Sequence, residues 1–210
     1  MSAEAEKKNK NGKSYVIGAV LIAFVVLMTL VIMGYSKYVL EDQARTTDQG
    51  QRLAERYVYA QLFAERLRDG AEGFLVAKTE AERIRAAKQL AEARLAGSEA
   101  LALLVEAESA ASGLPREEAG KPVTEAADAV IGADGPLAVI GESGGPLTEA
   151  EIALLGDVRD AAAGIEEALK GYRAPSGEAG YRQMATLGEW KPYALEASAN
   201  LQRLAAAVRR

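Results

Sequence analysis

The sequence predicts an all-α protein in which a single N-terminal transmembrane helix precedes an antiparallel bundle of about four helices. Three observations lead to this fold class. The segment Ser14–Ser36 holds 23 residues without a charged side chain. Beyond it, apolar residues recur at spacings of three and four, which is the period of an amphipathic helix. The chain is 49% hydrophobic but only 6% aromatic, a composition that suits long helices packed through small side chains.

The uncharged segment 14–36 predicts a membrane anchor. A helix rises about 1.5 Å per residue, so this segment would span roughly 34 Å, enough to cross the hydrocarbon core of a bilayer. We expect residues with interfacial side chains to lie at the membrane–water boundary on either side of it. These are Lys13, Tyr15, Tyr35, Lys37 and Tyr38.

The flanking charges predict the orientation of this anchor. Residues 1–13 carry four lysines against two glutamates, and positively charged flanks stay in the cytoplasm. We therefore expect 1–13 to be a cytoplasmic basic tail and 37–210 to be an extracytoplasmic domain. The apolar core of a cleaved secretory signal is shorter, about 7–15 residues, and ends in a small-residue cleavage site. The interpretation is an uncleaved signal anchor that crosses the plasma membrane once.

Composition excludes several classes of function. The chain contains neither cysteine nor histidine, so it lacks thiolate chemistry and both the commonest general base and the commonest metal ligand. Its net charge is −5, the wrong sign for a protein that binds nucleic acid. We expect no enzymatic activity, no metal, no cofactor and no nucleic-acid partner.

The first bundle helix is predicted from about Leu40 to Val76, and it can be continuous with the anchor. A heptad pattern of the coiled-coil or bundle type runs along it. The residues of this pattern are Leu53, Tyr57, Ala60, Ala64, Leu67, Ala71 and Phe74.

The second helix begins at a capping box, in which the side chains of Thr79 and Glu82 satisfy each other's free amide groups. It is predicted to run to about Ser112, where Gly113 and Pro115 stop it. We expect its core face to hold Ile84, Ala87, Ala91, Leu95, Ser98, Ala102 and Val105, with Leu90, Leu101 and Leu104 widening the apolar stripe.

Residues 113–147 are predicted to form a long irregular connection, because glycine and proline recur throughout them. Two short apolar pieces interrupt this segment. Val123–Ile131 could form two helical turns, and Leu137–Ile140 could be a short helix or an extended piece. Such a long connection within a bundle is usually functional or mobile.

Two further helices follow. Thr148 and Glu151 form a second capping box, and this helix is expected to end near Gly171. The last helix is predicted over roughly Glu178 to Val208, with a kink at Pro192.

Four apolar residues are candidate contacts for a partner protein: Leu137 and Ile140 in the connection, and Trp190 and Tyr193 beside Pro192. The alternative is that the connection is a disordered excursion and that Trp190 is an ordinary core residue, since aromatic side chains at helical spacing usually pack inside.

The motifs LFAERLR at 62–68 and FLVAKTEAE at 74–82 resemble the first hairpin of the extracytoplasmic four-helix-bundle sensor domains of bacterial chemoreceptors and sensor kinases. The resemblance implies a bundle that senses a stimulus outside the membrane. Those receptors also have a second membrane span and a cytoplasmic signalling module, which have no counterpart in these 210 residues. A signal would therefore have to pass through a partner.

The leading hypothesis is a membrane-anchored extracytoplasmic module for protein interaction or sensing, which acts through a protein partner or by self-association. The alternative is a structural accessory subunit of a membrane or cell-envelope complex.

Overall fold

The computed structural model describes residues 3–133, 135–140 and 145–209, with side chains from Gly18 onward. Within these ranges the chain is helical and contains no strand, which confirms the all-α fold class. The helices are α1 (Ala3–Val76), α2 (Glu80–Ser112), α3 (Arg116–Ile131), α4 (Glu149–Lys170), α5 (Glu178–Leu187) and α6 (Lys191–Val208), with a short 3-10 helix at Pro136–Ala138.

Helix α1 runs for 74 residues without a break, so the predicted anchor and the first bundle helix are one continuous helix. Its N-terminal part reaches a mean hydropathy of 2.5 over 18 residues, and 0% of that stretch is buried. By length and composition, this helix can span a membrane. Tyr35 and Tyr38 are each 69% exposed and Lys37 is exposed, whereas the side chains of Lys13 and Tyr15 lie outside the described ones.

The chain divides into two compact units, Met1–Thr46 and Thr47–Arg210. The second unit is the bundle. In this unit α1 packs against α2, where Gly73 meets Ala86, and against α4, where the Tyr57 hydroxyl donates to the Leu169 carbonyl at 2.8 Å. Helix α3 packs on α2 and α6, and α6 packs on α2 and α4. One continuous apolar core lies between these helices.

Both predicted capping boxes are confirmed. The Thr79 hydroxyl accepts a hydrogen bond from the Glu82 amide, and the Glu82 carboxylate accepts one from the Thr79 amide at 3.0 Å. Thr148 and Glu151 repeat the arrangement at the start of α4, with the corresponding Thr148 amide bond at 2.7 Å. The starts of α2 and α4 are therefore fixed by local side-chain chemistry.

These caps predict a loss of stability in acid. Hydrogen bonds from backbone amides lower the pKa of Glu82 and of Glu151 below the ordinary value of 4.5. Each carboxylate thus stabilises the fold above its unfolded-state pKa, and this contribution disappears as pH falls through the lower folded-state pKa. We expect the double variant Glu82→Gln, Glu151→Gln to melt at a lower temperature at pH 7 and to lose less stability than the parent below about pH 5.

Thermal melts of the full chain in detergent, followed by circular dichroism from pH 7 to pH 2, would measure this difference. Glu149→Gln is the matched control, because Glu149 lies in the same first turn of α4 but outside the capping box. An equally steep acid dependence in parent and double variant would contradict the prediction.

The first half of the predicted irregular connection is helical. The expectation of irregular structure is wrong for 116–122, whereas the helical turns offered for 123–131 are confirmed. Helix α3 occupies 116–131 because an amphipathic pattern outweighs its glycine and proline. Gly120 allows close packing, since a Cβ at this position would lie 2.9 Å from a Val105 methyl carbon. Pro122 is on the exposed side, where water can bind the carbonyl that loses its amide partner. The buried face consists of Ala119, Gly120, Val123, Ala126, Ala127 and Val130.

The predicted core face of α2 is wrong from Ile84 to Ser98, although Leu90 and Leu104 of the widened stripe are buried and Leu101 packs against the core. Ile84 is 63% exposed and Leu95 is 80% exposed. The helix instead turns inward a face that combines small residues with leucines. The small residues allow a close approach, since a Cβ at Gly97 would lie 3.0 Å from Ile131 Cδ1. The buried residues are Ala86, Leu90, Ala93, Ala96, Gly97, Ala100, Leu103, Leu104 and Ala107.

The predicted final helix is two helices, α5 and α6, instead of one kinked helix. Gly188 ends α5 in the left-handed conformation, with φ of 67°, which glycine adopts without steric cost. Pro192 lies in the first turn of α6, where its missing amide hydrogen needs no partner.

Candidate interaction surface

Three of the four predicted contact residues lie in the core of the bundle. Leu137 is 7% exposed, Ile140 is 8% exposed and Trp190 is 1% exposed. The indole Nε1 of Trp190 donates to the Met184 carbonyl at 3.2 Å, so its polar group is satisfied inside the protein. In this structure these three side chains form part of the packing, and Ile140 also lines a depression beside Phe74 and Ile84.

The fourth, Tyr193, is half-buried and belongs to an aromatic cluster. The Tyr172 ring meets Tyr57 edge-on at 5.2 Å and stacks on Tyr193 at 6.3 Å between centroids. Burial raises the pKa of both Tyr57 and Tyr172. The hydroxyl of Tyr57 therefore remains protonated and donates to Leu169. The cluster ties α1 to the end of α4 and to α6.

An apolar depression lies beside Tyr59, and we call its lining the Tyr59 surface. Val58 is 54% exposed and Tyr59 is 45% exposed, although both are large apolar side chains. The depression encloses about 430 Å³ between α1, the α4–α5 loop and α5. Its lining consists of Ala54, Glu55, Val58, Tyr59, Ala174, Pro175, Ser176 and Tyr181.

Two glycines build this surface. Gly50 lets α1 and α5 approach so closely that a Cβ there would overlap the backbone carbonyl of Tyr181. Gly177 has φ of 82°, a left-handed conformation that turns the loop after Pro175 into α5. The loop and Tyr181 are thereby held against the face of α1 that carries Val58.

A second depression, of about 390 Å³, lies on the other side of Tyr59 and has a charged lining. It is formed by Arg52, Glu55, Arg56, Tyr59, Leu95 and Glu99. Arg56 and Glu99 form an ion pair at 3.3 Å across α1 and α2. Tyr59 and Glu55 line both depressions, so an apolar hollow stands directly beside charged side chains. An exposed aromatic residue with apolar neighbours and a charged rim is typical of protein-binding surfaces.

Some charged side chains elsewhere on the bundle form ion pairs between helices. Glu106 forms an ion pair with Arg116, and Arg68 pairs with Glu166. Within the described ranges, no group of three or more acidic side chains is placed to hold a metal ion. The chemistry that these surfaces offer is binding through shape, apolar contact and charge.

Sequence reasoning missed the Tyr59 surface, although α1 contains a signal for it. Val58 and Tyr59 follow the core residue Tyr57 directly, and adjacent residues cannot all face the same side of a helix. Two large apolar residues therefore had to lie beyond the core seam. Comparison with known proteins adds no assignment: no protein-family model matches the chain, and neither the curated proteins nor the solved structures include a significant match.

Proposed function

We propose that this chain is a single-pass membrane-anchored module whose extracytoplasmic helical bundle binds a protein partner through the Tyr59 surface. Through that partner, the bundle would take part in sensing or in the assembly of a protein complex. The observation that carries this proposal is the exposure of Val58 and Tyr59 on a helix that buries the aromatic residues of its seam, Tyr57 and Phe74.

Exposure of these side chains is what a binding site requires. Removing apolar surface from water contributes about 25 cal/mol per Å², and tyrosine is enriched among residues that dominate binding energy. Tyr59 offers a ring to a partner and a hydroxyl to water or to a polar group. The neighbouring Arg52, Glu55 and Arg56 would orient the partner by charge.

The anchor supports a membrane location. An 18-residue stretch of mean hydropathy 2.5 with none of its surface buried is accommodated by lipid, because lipid removes these side chains from water. The lysines in the first 13 residues favour a cytoplasmic N-terminus. The proposed location of residues 47–210 is therefore outside the plasma membrane.

Site-specific photocrosslinking in intact cells tests the proposal. Tyr59 is replaced by benzoylphenylalanine in the full-length chain, and crosslinked proteins are identified by mass spectrometry. We expect one protein to be crosslinked, and we expect the added substitution Val58→Lys to reduce that product at least about tenfold, since a buried unpaired charge opposes binding.

Leu187→Lys is the matched control, because Leu187 is 62% exposed and lies outside the Tyr59 surface. It should leave the crosslinked product unchanged. A crosslinked product that is insensitive to Val58→Lys, or no product from Tyr59, would refute the proposed site. If the crosslinked partner and this chain form a stoichiometric envelope complex that responds to no stimulus, the chain is instead a structural subunit of that complex.

A further inference from the structure

A hollow of about 390 Å³ lies where the end of α1 meets the start of α2, and we call it the Arg83 hollow. Its apolar wall includes Phe74 and Ile140, which are 3% and 8% exposed, and Ile84, which is 63% exposed. Sites for small molecules usually enclose about 300–1,000 Å³, so the hollow is large enough for one. The complete lining is Phe74, Lys78, Thr79, Glu80, Arg83, Ile84, Ala87 and Ile140.

Two cations of this lining, Arg83 and Lys78, form no ion pair with an acidic side chain in the part of the chain that the structure describes. Arg83 is half-buried, and its Nη1 donates to the Gly145 carbonyl at 2.6 Å. This bond orients the guanidinium and leaves its other N–H donors for a ligand. The Lys78 side chain is exposed and adds a second positive charge beside the same apolar wall.

Two carboxylates lie near these cations, and neither pairs with them. Glu82 accepts hydrogen bonds from the backbone amides of Lys78 and Thr79, at 2.7 and 3.0 Å, so its carboxylate is used in the helix cap. Glu80 belongs to the lining but is exposed and forms no ion pair among the described residues. With two cations and one carboxylate, the lining carries one net positive charge in a chain whose net charge is −5.

We propose that the Arg83 hollow binds a small organic acid, that is, a molecule with an apolar body and a carboxylate or similar oxyanion. The Arg83 guanidinium can donate two parallel hydrogen bonds to two oxygens of such a group, and Lys78 adds a point charge. The apolar body would lie against Phe74 and Ile84 and remove apolar surface from water. This ligand goes beyond the proposed function, which concerns a protein partner.

The Arg83 hollow is separate from the Tyr59 surface. The two share no lining residue, and Phe74 follows Tyr59 by about 22 Å along α1. A ligand in the hollow would contact the end of α1, the start of α2 and Ile140 at once. Ile140 would therefore contribute to a wall of a small-molecule site, instead of the protein contact expected from the sequence.

Fluorine NMR of the full-length chain in nanodiscs of zwitterionic lipid tests this inference. The probe is para-fluorophenylacetate, an aromatic ring that carries one carboxylate, and empty nanodiscs give the background. The matched probe is para-fluorophenylacetamide, which has the same ring without the charge. We expect saturable binding of the acid with a Kd of about 1 mM or tighter. The amide should bind at least about tenfold more weakly, because hydrogen bonds to charged groups are the stronger ones.

Charge variants assign this binding to named side chains. Arg83→Gln should weaken binding of the acid at least about tenfold, because it removes the bidentate donor. Lys78→Gln should weaken it about twofold, since an exposed charge contributes less. Arg85→Gln is the matched control, because Arg85 is exposed on the same turn of α2 but lies outside the lining. It removes the same charge and should change the Kd by less than about twofold.

Ala87→Leu tests the hollow without a change in charge. The larger side chain should occupy the space of the apolar body and abolish binding of the acid. Ala91→Leu is its control, because Ala91 is exposed one turn further along α2 and outside the lining. Both variants should keep the parent's melting temperature, since substitutions on the surface change stability little. Val58→Lys should leave binding unchanged, which separates this inference from the proposed Tyr59 site.

Three outcomes would overturn the inference: no saturable binding of the acid, equal binding of acid and amide, or an effect of Arg83→Gln no larger than that of Arg85→Gln. Loss of binding in Val58→Lys would place the probe at the Tyr59 surface and would overturn it as well. Because Arg83 also holds the Gly145 carbonyl, each variant is melted. If Arg83→Gln proves unstable, Lys78→Gln and Ala87→Leu decide the result.

Discussion

Trp190→Ala is expected to lower the free energy of unfolding of the bundle by about 3–5 kcal/mol. Trp190 is the largest fully buried side chain of the described residues, and its removal leaves a cavity that the surrounding helices cannot fill by small shifts. It also leaves the Met184 carbonyl without the hydrogen bond that the indole donates. Both effects act on the core, so the loss should extend to the whole cooperative unit.

Urea denaturation of the full chain in detergent, followed by circular dichroism, would measure this loss. Leu187→Ala is the control, since Leu187 is 62% exposed and surface substitutions change stability by about 0.5 kcal/mol or less. An unchanged unfolding midpoint combined with loss of the photocrosslinked partner would instead support the sequence-based hypothesis that Trp190 contacts a partner.

Gly50→Ala should be the second most damaging of these substitutions, with an expected loss of about 1–3 kcal/mol. The added Cβ would overlap the backbone carbonyl of Tyr181. A side chain could rotate away, but a backbone carbonyl moves only with its helix, so α1 and α5 must separate. Because Tyr181 lines the Tyr59 surface, the same substitution should also reduce crosslinking from Tyr59.

Gly156→Ala is a control for which we expect the opposite change in stability. Gly156 lies in the middle of α4, and a Cβ there would meet nothing within 4 Å. Alanine should therefore stabilise the bundle by about 0.4–1 kcal/mol, since it restricts the unfolded chain without a clash. Equal effects of the two substitutions would show that α1 and α5 do not approach closely at Gly50.

Features governed by neighbouring residues could be predicted from the sequence. The two capping boxes require only a threonine and a glutamate three residues later, and both begin helices at the expected positions. The heptad seam of α1 was equally clear, because Leu53, Tyr57 and Phe74 are large and recur at a regular spacing. All seven residues of that predicted seam are buried.

The buried face of α2 could not be predicted in this way, because the size of a side chain was taken as a sign of burial. Ile84 and Leu95 are larger than Ala93 and Ala100 and suggested the core face. The distance between helices determines instead which face of α2 is buried. Where α1 and α3 approach α2 closely, alanine and glycine fill the contact, as at Ala86 and Gly97, while Leu90, Leu103 and Leu104 fill the wider gaps of the same face.

Residues 116–122 of α3 were missed because of glycine and proline. Gly120 and Pro122 look like helix breakers in isolation, yet one lies at a close helix contact and the other faces solvent. Burial of Trp190, Leu137 and Ile140 depends on contacts between distant parts of the chain. The Tyr59 surface likewise exists only because the loop at Pro175 is folded against α1.

The alanine-lined face of α2 has a thermodynamic consequence for the whole bundle. The heat capacity change of unfolding grows with the apolar area exposed, by about 0.45 cal/mol/K per Å², and is reduced by exposed polar backbone. Each buried alanine exposes little apolar area on unfolding, while its peptide group adds polar area. A core built this way gives a small heat capacity change and hence a shallow stability curve. The free energy of unfolding of the bundle should therefore stay nearly constant over a wide range of temperature. The temperatures of heat denaturation and cold denaturation should lie far apart.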